Sequence, residues 1–208
     1  PEFFQRIAII TSPTGAVIND MLRVFREQKV ELEILLIPSR VQGEGAEYEL
    51  ARALELANMP QVCAPQSKPP LDLIILARGG GSFEDLYPFN TEQVARAIAK
   101  SKIPVMSAVG HEIDYTISDL VADIRALTPT RAAEMIAQKQ KQAIDRLKSA
   151  EESLKKTIQA KIELGFESLR AFFDLGRRMR VQIEMAEKEL LISLYNLRRL
   201  LRDALEST

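Results

Sequence analysis

The sequence predicts an α/β fold, a parallel sheet with helices on both faces, followed by a long helical extension. Three observations predict it. Within residues 1–130, short apolar runs rich in β-branched residues take turns with segments of helical spacing. Those runs lack sustained polar alternation, as expected of strands covered on both faces. All ten prolines, the last of them Pro129, precede residue 131, and the remainder is built from good helix formers with few breakers. Two domains follow: residues 1–130 as the α/β part and 131–208 as the helical part.

The elements read in order. Arg6–Thr11 (RIAIIT) is a first strand, ended by Ser12-Pro13. From Thr14, a candidate N-cap, Val17, Met21, Leu22 and Phe25 recur at helical spacing. Leu32–Pro38 is a second strand, and Tyr48, Leu50, Ala51, Leu54 and Leu56 mark a helix after Gly45. Met59–Pro70 holds four prolines and reads as a loop. Leu71–Ala77 is a third strand, Thr91–Lys100 a helix, Ile103–Val109 a fourth strand and Asp114–Val121 a further helix. A right-handed wound sheet of this kind is flavodoxin-like or Rossmann-like, with strand order about 2-1-3-4. Ligands of such sheets sit outside the carboxyl ends of the strands, where the order reverses.

Composition bounds the function. The chain has 208 residues, 46% hydrophobic and 27% charged, which excludes a disordered or collagen-like protein. Its single cysteine, Cys63, excludes a disulfide framework and multi-cysteine metal centres, and suits a reducing cytoplasm. Its single histidine, His111, excludes a two-histidine metal site within one chain. No apolar run reaches the ~18 residues of a spanning helix, and no basic-then-apolar leader opens the chain. The chain starts at Pro1 rather than methionine, so it is expected to be a piece of a longer protein. The net charge of −1 divides unevenly. Residues 1–130 carry 12 Lys and Arg against 17 Asp and Glu, a balance of −5, and residues 131–208 carry 16 against 12, a balance of +4.

The unusual residues collect in three loops at the expected carboxyl edge: Thr11–Gly15 (TSPTG), Ala77–Asp85 (ARGGGSFED) and Gly110–Asp119 (GHEIDYTISD). Gly79, Gly80 and Gly81 after a buried strand permit positive φ and let backbone N–H groups approach an anion. Arg78 adds a planar donor pair matched to a phosphate, and Ser82 a hydroxyl. A tight turn with a salt-bridged arginine gives the same pattern. The run is neither a Walker loop nor G-x-G-x-x-G.

His111 is the only side chain here that titrates near neutrality without help. Asp114, three residues on, is placed to orient the imidazole, with Glu112 and Asp119 close by. A surface or capping histidine is the plainer alternative. Asp20 falls one or two turns into the first helix, beneath Ser12, Thr14 and Gly15. Glu84 and Asp85 suit either a metal or a helix cap.

From Thr130 onward, Leu147, Leu154, Ile158, Ile162, Leu169, Phe172, Met179, Ile183, Leu190, Leu194, Leu197 and Leu201 approximate a heptad seam. Such a stripe needs a partner, either by folding back at Gly165 or Gly176 or by meeting other chains. Self-association through residues 131–208 is therefore expected. Lys155-Lys156 and Arg177-Arg178 read as solvated faces, with DNA tracking as the alternative.

Three long segments, 11–22 (TSPTGAVINDML), 78–90 (RGGGSFEDLYPFN) and 103–134 (IPVMSAVGHEIDYTISDLVADIRALTPTRAAE), together with VQGEGA at 41–46, resemble the large subunit of bacterial exodeoxyribonuclease VII. The tail is similar to that family's coiled-coil region in character only. The resemblance implies a nuclease that degrades single-stranded DNA from either end and releases short oligonucleotides with 5′ phosphates. It implies small helical subunits docked along the coiled coil. It also implies an N-terminal OB-fold and a returning C-terminal segment, neither of which is found in this sequence. Carried over motif by motif, the catalytic positions fall on Asp20, Arg78, His111 and Asp114. Ser12, Thr14, Gly15, Gly79, Gly80, Gly81, Ser82 and Glu112 are expected to line the substrate site. No cofactor is strictly required, no metal ligands are assigned, and Mg²⁺ is admitted. A cytoplasmic protein with no membrane contact is expected. Two other classes fit parts of the pattern: a non-catalytic nucleic-acid-binding scaffold, and an α/β nucleotide-binding phosphotransferase.

Overall fold

The computed structural model describes residues 3–80, 84–110 and 115–206, with the side chains of Glu84, Leu197 and residues 200–206 outside that set. Two compact units divide the chain, residues 1–147 and 148–208. The first is built on a parallel five-stranded sheet: β1 (Arg6–Thr11), β2 (Glu33–Pro38), β3 (Leu73–Ala77), β4 (Val105–Ala108) and β5 (Ile124–Arg125). The order is β2-β1-β3-β4-β5, the flavodoxin-like order. Register is fixed by pairs such as Ile9 with Leu36 and Ile75, and Leu76 with Ser107.

Burial explains the apolar runs. Every residue of β1, β3 and β4 is buried, because helices cover both faces. On one face Ile7, Ile9, Leu73, Ile75 and Met106 meet Val17, Met21 and Phe25 of α1 (Ala16–Glu27). On the other, Ala8, Ile10, Ile74, Leu76 and Val105 meet Leu50 and Leu54 of α2 (Ala46–Ala57). A short helix α3 (Pro60–Cys63) follows, and α4 (Glu92–Ala99) adds Val94 and Ile98 to that second face. The alternation of faces at successive residues is the period-two geometry of a strand. Strand β2 is half-exposed because it lies at the edge, where Pro38 is tolerated at its end.

Several element ends differ from the sequence expectation, each for a local reason. The first helix starts at Ala16, with Gly15 as its N-cap rather than Thr14. The Thr14 hydroxyl lies 3.3 Å from that of Ser12, inside the turn that precedes the helix. The expected loop 59–70 contains α3, a single turn with Pro60 in its first positions. Helix α5 (Ile117–Val121) begins later than Asp114 because Thr116 caps it. Thr116 and Asp119 form a capping box in which each side chain bonds the other's backbone N–H. A 3-10 segment, Glu84–Asn90, and the two-residue strand β5 were not expected.

The long helix α6 (Pro129–Glu206) has 78 residues and runs through Gly165 and Gly176 without a break. Pro129 opens it, where its missing N–H is no loss, and the Thr128 hydroxyl accepts from Arg131 N–H at 3.1 Å. Within the first unit, Ala132, Ala133 and Ile136 join the α1 side of the core. Buried Gln140 accepts from Phe4 N–H at 2.9 Å and donates to Phe4 carbonyl at 2.8 Å. The second unit is the rest of this helix. Its described seam residues, from Leu154 to Leu194, are exposed. Among the described residues no helix is long and apolar enough to cross a membrane.

Candidate functional site

The strand order reverses between β1 and β3, and the loops leaving their carboxyl ends enclose two joined clefts. The outer cleft, about 440 Å³, is lined among others by Ser12, Gly15, Asp20, Arg40, Gly79 and Gly80. The inner one, about 180 Å³, shares Val17, Asp20, Gly79 and Gly80 and adds Arg78, Gly110 and Thr128 to Thr130. The structure thus brings together Asp20, Arg78, Gly79 and Gly80, with Ser12 and Gly15 on the outer wall. Thr14 lines neither cleft. Gly81, Ser82, His111, Glu112 and Asp114 lie outside the described residues. Gly110, the residue before His111, lines the inner cleft.

Asp20 sits in the second turn of α1, with its side chain 44% exposed and one oxygen 3.4 Å from Arg23 one turn on. Such an exposed pair contributes little to stability, so Asp20 keeps its carboxylate accessible to the clefts. Arg78 is the opposite case. It follows β3, its backbone N–H reaches Ala108 carbonyl at 3.4 Å, and the residue is only 3% exposed. Its Nη2 lies 3.2 Å from Asp85. Of the two sequence readings of Arg78, the salt bridge is present, and it holds a guanidinium at the wall of the inner cleft. A guanidinium keeps its charge when buried, which a lysine does not reliably do.

Gly79 and Gly80 do not use the positive φ that the sequence allows them. Among the described residues the left-handed glycines are Gly43 (φ 85°) and Gly45 (φ 80°), ahead of α2. Gly79 is needed for close approach instead, since a Cβ there would lie 3.3 Å from Val17 Cγ2. At Gly80 a Cβ would meet nothing within 4 Å.

Three residues were missed from sequence. Thr11 ends β1 at the floor of the outer cleft, and its buried hydroxyl has no hydrogen-bond partner among the described residues. Gln42 lines the same cleft. Arg40 lines it as well, after β2, and Glu49 holds it doubly, accepting from Arg40 Nε at 2.7 Å and from Arg40 N–H at 3.0 Å. The Arg40 backbone N–H, and then its guanidinium, hold the Glu49 carboxyl below its ordinary value. The carboxyl-edge rule points to the loop after β2 as readily as to the others, and VQGEGA stands there.

The segment after residue 114 is tightly anchored. Asp119, wholly buried, accepts the Ser107 hydroxyl at 2.6 Å and Thr116 N–H at 3.0 Å. Ile117 N–H donates to Asn90 at 2.9 Å, and the Arg125 guanidinium lies 3.9 Å above the Tyr115 ring. Among the described residues, no group of three or more His, Cys, Asp or Glu side chains is arranged to hold a metal ion.

The sheet order and the clefts at the β1–β3 reversal define a doubly wound, flavodoxin-like α/β protein with its ligand crevice at the switch point. Residues 1–208 match the family model described as "Exonuclease VII, large subunit", and the chain belongs to that family. It is 46% identical over 158 residues to the exodeoxyribonuclease 7 large subunit of Shouchella clausii (strain KSM-K16), covering 76% of this chain and 33% of that protein. The corresponding protein of Tolumonas auensis (strain DSM 9187 / NBRC 110442 / TA 4) is 48% identical over 159 residues, covering 76% and 34%. That of Syntrophotalea carbinolica (strain DSM 2380 / NBRC 103641 / GraBd1) is 53% identical over 138 residues, covering 66% and 32%. The chain spans about one third of the length of these relatives.

Proposed function

We propose that this α/β unit is the catalytic part of a single-strand-specific exodeoxyribonuclease, acting from either end and leaving 5′-phosphorylated products. The observation that carries the reading is the shared cleft: Asp20, Arg78 and the Gly79–Gly80 backbone meet at the switch point of a chain in the exonuclease VII large-subunit family. A phosphodiester seated there meets the Arg78 guanidinium and the glycine backbone, which stabilise charge developing on its oxygens. Water attacks phosphorus, the bond from phosphorus to the 3′ oxygen breaks, and that oxygen leaves with a proton. This order of bonds yields the 5′ phosphate. His111 takes the proton from water or supplies it to the leaving oxygen, with Asp114 orienting the ring. Asp20 holds the attacking water or the arginine. The acidic balance of the first region assigns much of the DNA affinity to other basic surface. Small subunits and self-association along residues 131–208 account for the exposed apolar stripe of α6.

The test is degradation of end-labelled single-stranded DNA by this chain, in EDTA and in Mg²⁺, beside His111→Ala. Cleavage that disappears in the variant supports the scheme, and the EDTA lane decides the metal requirement. Cleavage that survives His111→Ala removes that histidine from the chemistry. Silence that persists with the full-length large subunit and its small subunit overturns the nuclease reading.

A further inference from the structure

Arg40 lines the outer cleft and has no part in the scheme above. It stands two residues past β2, at the same carboxyl edge as Ser12, Gly15 and Gly80. Glu49 of α2 grips it twice. One carboxylate oxygen accepts from Arg40 Nε at 2.7 Å and the other from its backbone N–H at 3.0 Å. Nη1 donates to the Glu44 carbonyl at 3.3 Å. Nε and Nη1 are thus engaged, while Nη2 has no acceptor among the described residues. Gly45 leaves that nitrogen uncovered, since a Cβ there would rest 3.5 Å from it.

The Arg40 side chain is 59% exposed, and an exposed ion pair adds little to stability. The double grip does something else. It fixes a long side chain that would otherwise sample many rotamers, so less freedom is lost when the guanidinium takes up an anion. Placement says which anion. The two clefts share Asp20, Gly79 and Gly80. Arg78 is the basic residue among the described lining of the inner cleft, and Arg40 that of the outer. A single DNA strand carries a negative charge at every nucleotide. Two arginines in joined clefts match two phosphates of one strand, with the Gly79–Gly80 backbone common to both.

We propose that Arg40 is a second phosphate anchor, holding a neighbouring phosphate of the strand whose scissile phosphodiester lies at Arg78. Arg40 binds the strand and takes no part in breaking the bond. The contact is to the backbone, so it is blind to the base. The proposal rests on the reading of the clefts as a DNA-phosphate site.

The test is fluorescence anisotropy of this chain with labelled dT20 and dC20 over a range of salt concentrations. Loss of one phosphate contact to a single strand lowers the slope of log K against log salt by about 0.7, which is about five-fold in affinity at ~0.1 M salt. Arg40→Ala is expected to show both changes, equally for the two strands. Arg40→Lys, which keeps a cation there, restores the slope. Glu49→Gln breaks the ion pair but keeps the guanidinium, and retains the slope. Arg52→Ala removes an exposed arginine of α2 that lines neither cleft, and retains it too. The proposal is overturned if Arg40→Ala keeps the unaltered slope. It is overturned equally if Arg52→Ala lowers the slope as much, which makes the effect one of net charge, or if Glu49→Gln does, which makes it one of the ion pair. In those three cases the DNA reading stands. If the unaltered chain binds neither strand, both readings fall together.

Discussion

The Ser107 hydroxyl and the Asp119 carboxylate, 2.6 Å apart and both buried, fasten the carboxyl end of β4 to the first turn of α5. The same carboxylate accepts Thr116 N–H, and the Arg125 Nε lies 3.8 Å away. A buried carboxylate survives in a core only when hydrogen bonds and opposite charge replace its hydration. Asp119 therefore ties the first turn of α5 to β4.

Asp119→Ala removes the reciprocal half of the Thr116–Asp119 capping box and strands the buried Ser107 hydroxyl and Thr116 N–H, so a loss of about 3 kcal/mol of unfolding free energy is expected. Ser107→Ala, which leaves the cap in place, costs about 1 kcal/mol. Urea unfolding followed by circular dichroism measures both. Equal losses would show that the cap contributes nothing beyond the Ser107 bond.

Glu33 gives a pH signature. The hydrogen bond from Lys68 (2.6 Å), with the charges of Lys68 and Arg6, outweighs its desolvation and lowers its pKa from the ordinary 4.5. The folded-state pKa is thus depressed. The stabilisation is fully present above about pH 4.5 and drains away as pH falls through the folded value. Glu33→Gln should melt below the unaltered chain at pH 7, and the difference should close toward pH 3. A difference that stays constant over that range would exclude Glu33 as its source.

Gly79 and Gly80 separate close approach from loop freedom. Gly79→Ala sets its Cβ 3.3 Å from Val17 Cγ2, and a loss of about 1 kcal/mol is expected from overpacking. Gly80→Ala, with open space around its Cβ, stays within about 0.5 kcal/mol of the unaltered chain. In a thermal-unfolding cycle, Val17→Ala should absorb part of the Gly79→Ala penalty. Strict additivity would dissociate the glycine from Val17.

Strands β1, β3 and β4 were legible because an apolar run covered on both faces leaves its mark in composition alone. Two residues carry no pattern, so Ile124–Arg125 was invisible as β5. Its pairing with β4 is a tertiary event. The 3-10 segment Glu84–Asn90, with Pro88 inside it, has neither helical nor strand spacing. Alpha-helix 6 ran on through Gly165 and Gly176 because each glycine costs only about 1 kcal/mol against long flanks of good helix formers. At the site, Asp20 and Arg78 were legible from the carboxyl-edge rule, and their common cleft agrees with it. Arg40 was not, since VQGEGA showed its glycines while the arginine before them had no visible partner. Glu49, nine residues on, is that partner.

The Phe4–Gln140 pair spans 136 positions in sequence. Strand β1 also needs β3, whose neighbour Asp72 bonds Arg6 N–H across 66 positions. Folding of this unit is therefore dominated by distant partners, the regime in which closing large loops sets a slow rate. On the ribosome β1 emerges before β2, β3 and the early turns of α6, with which it pairs or shares a core. It stays without its full complement of partners until the early turns of α6 emerge. A chaperone that shields apolar segments would find Ile7–Ile10 its natural target during that interval.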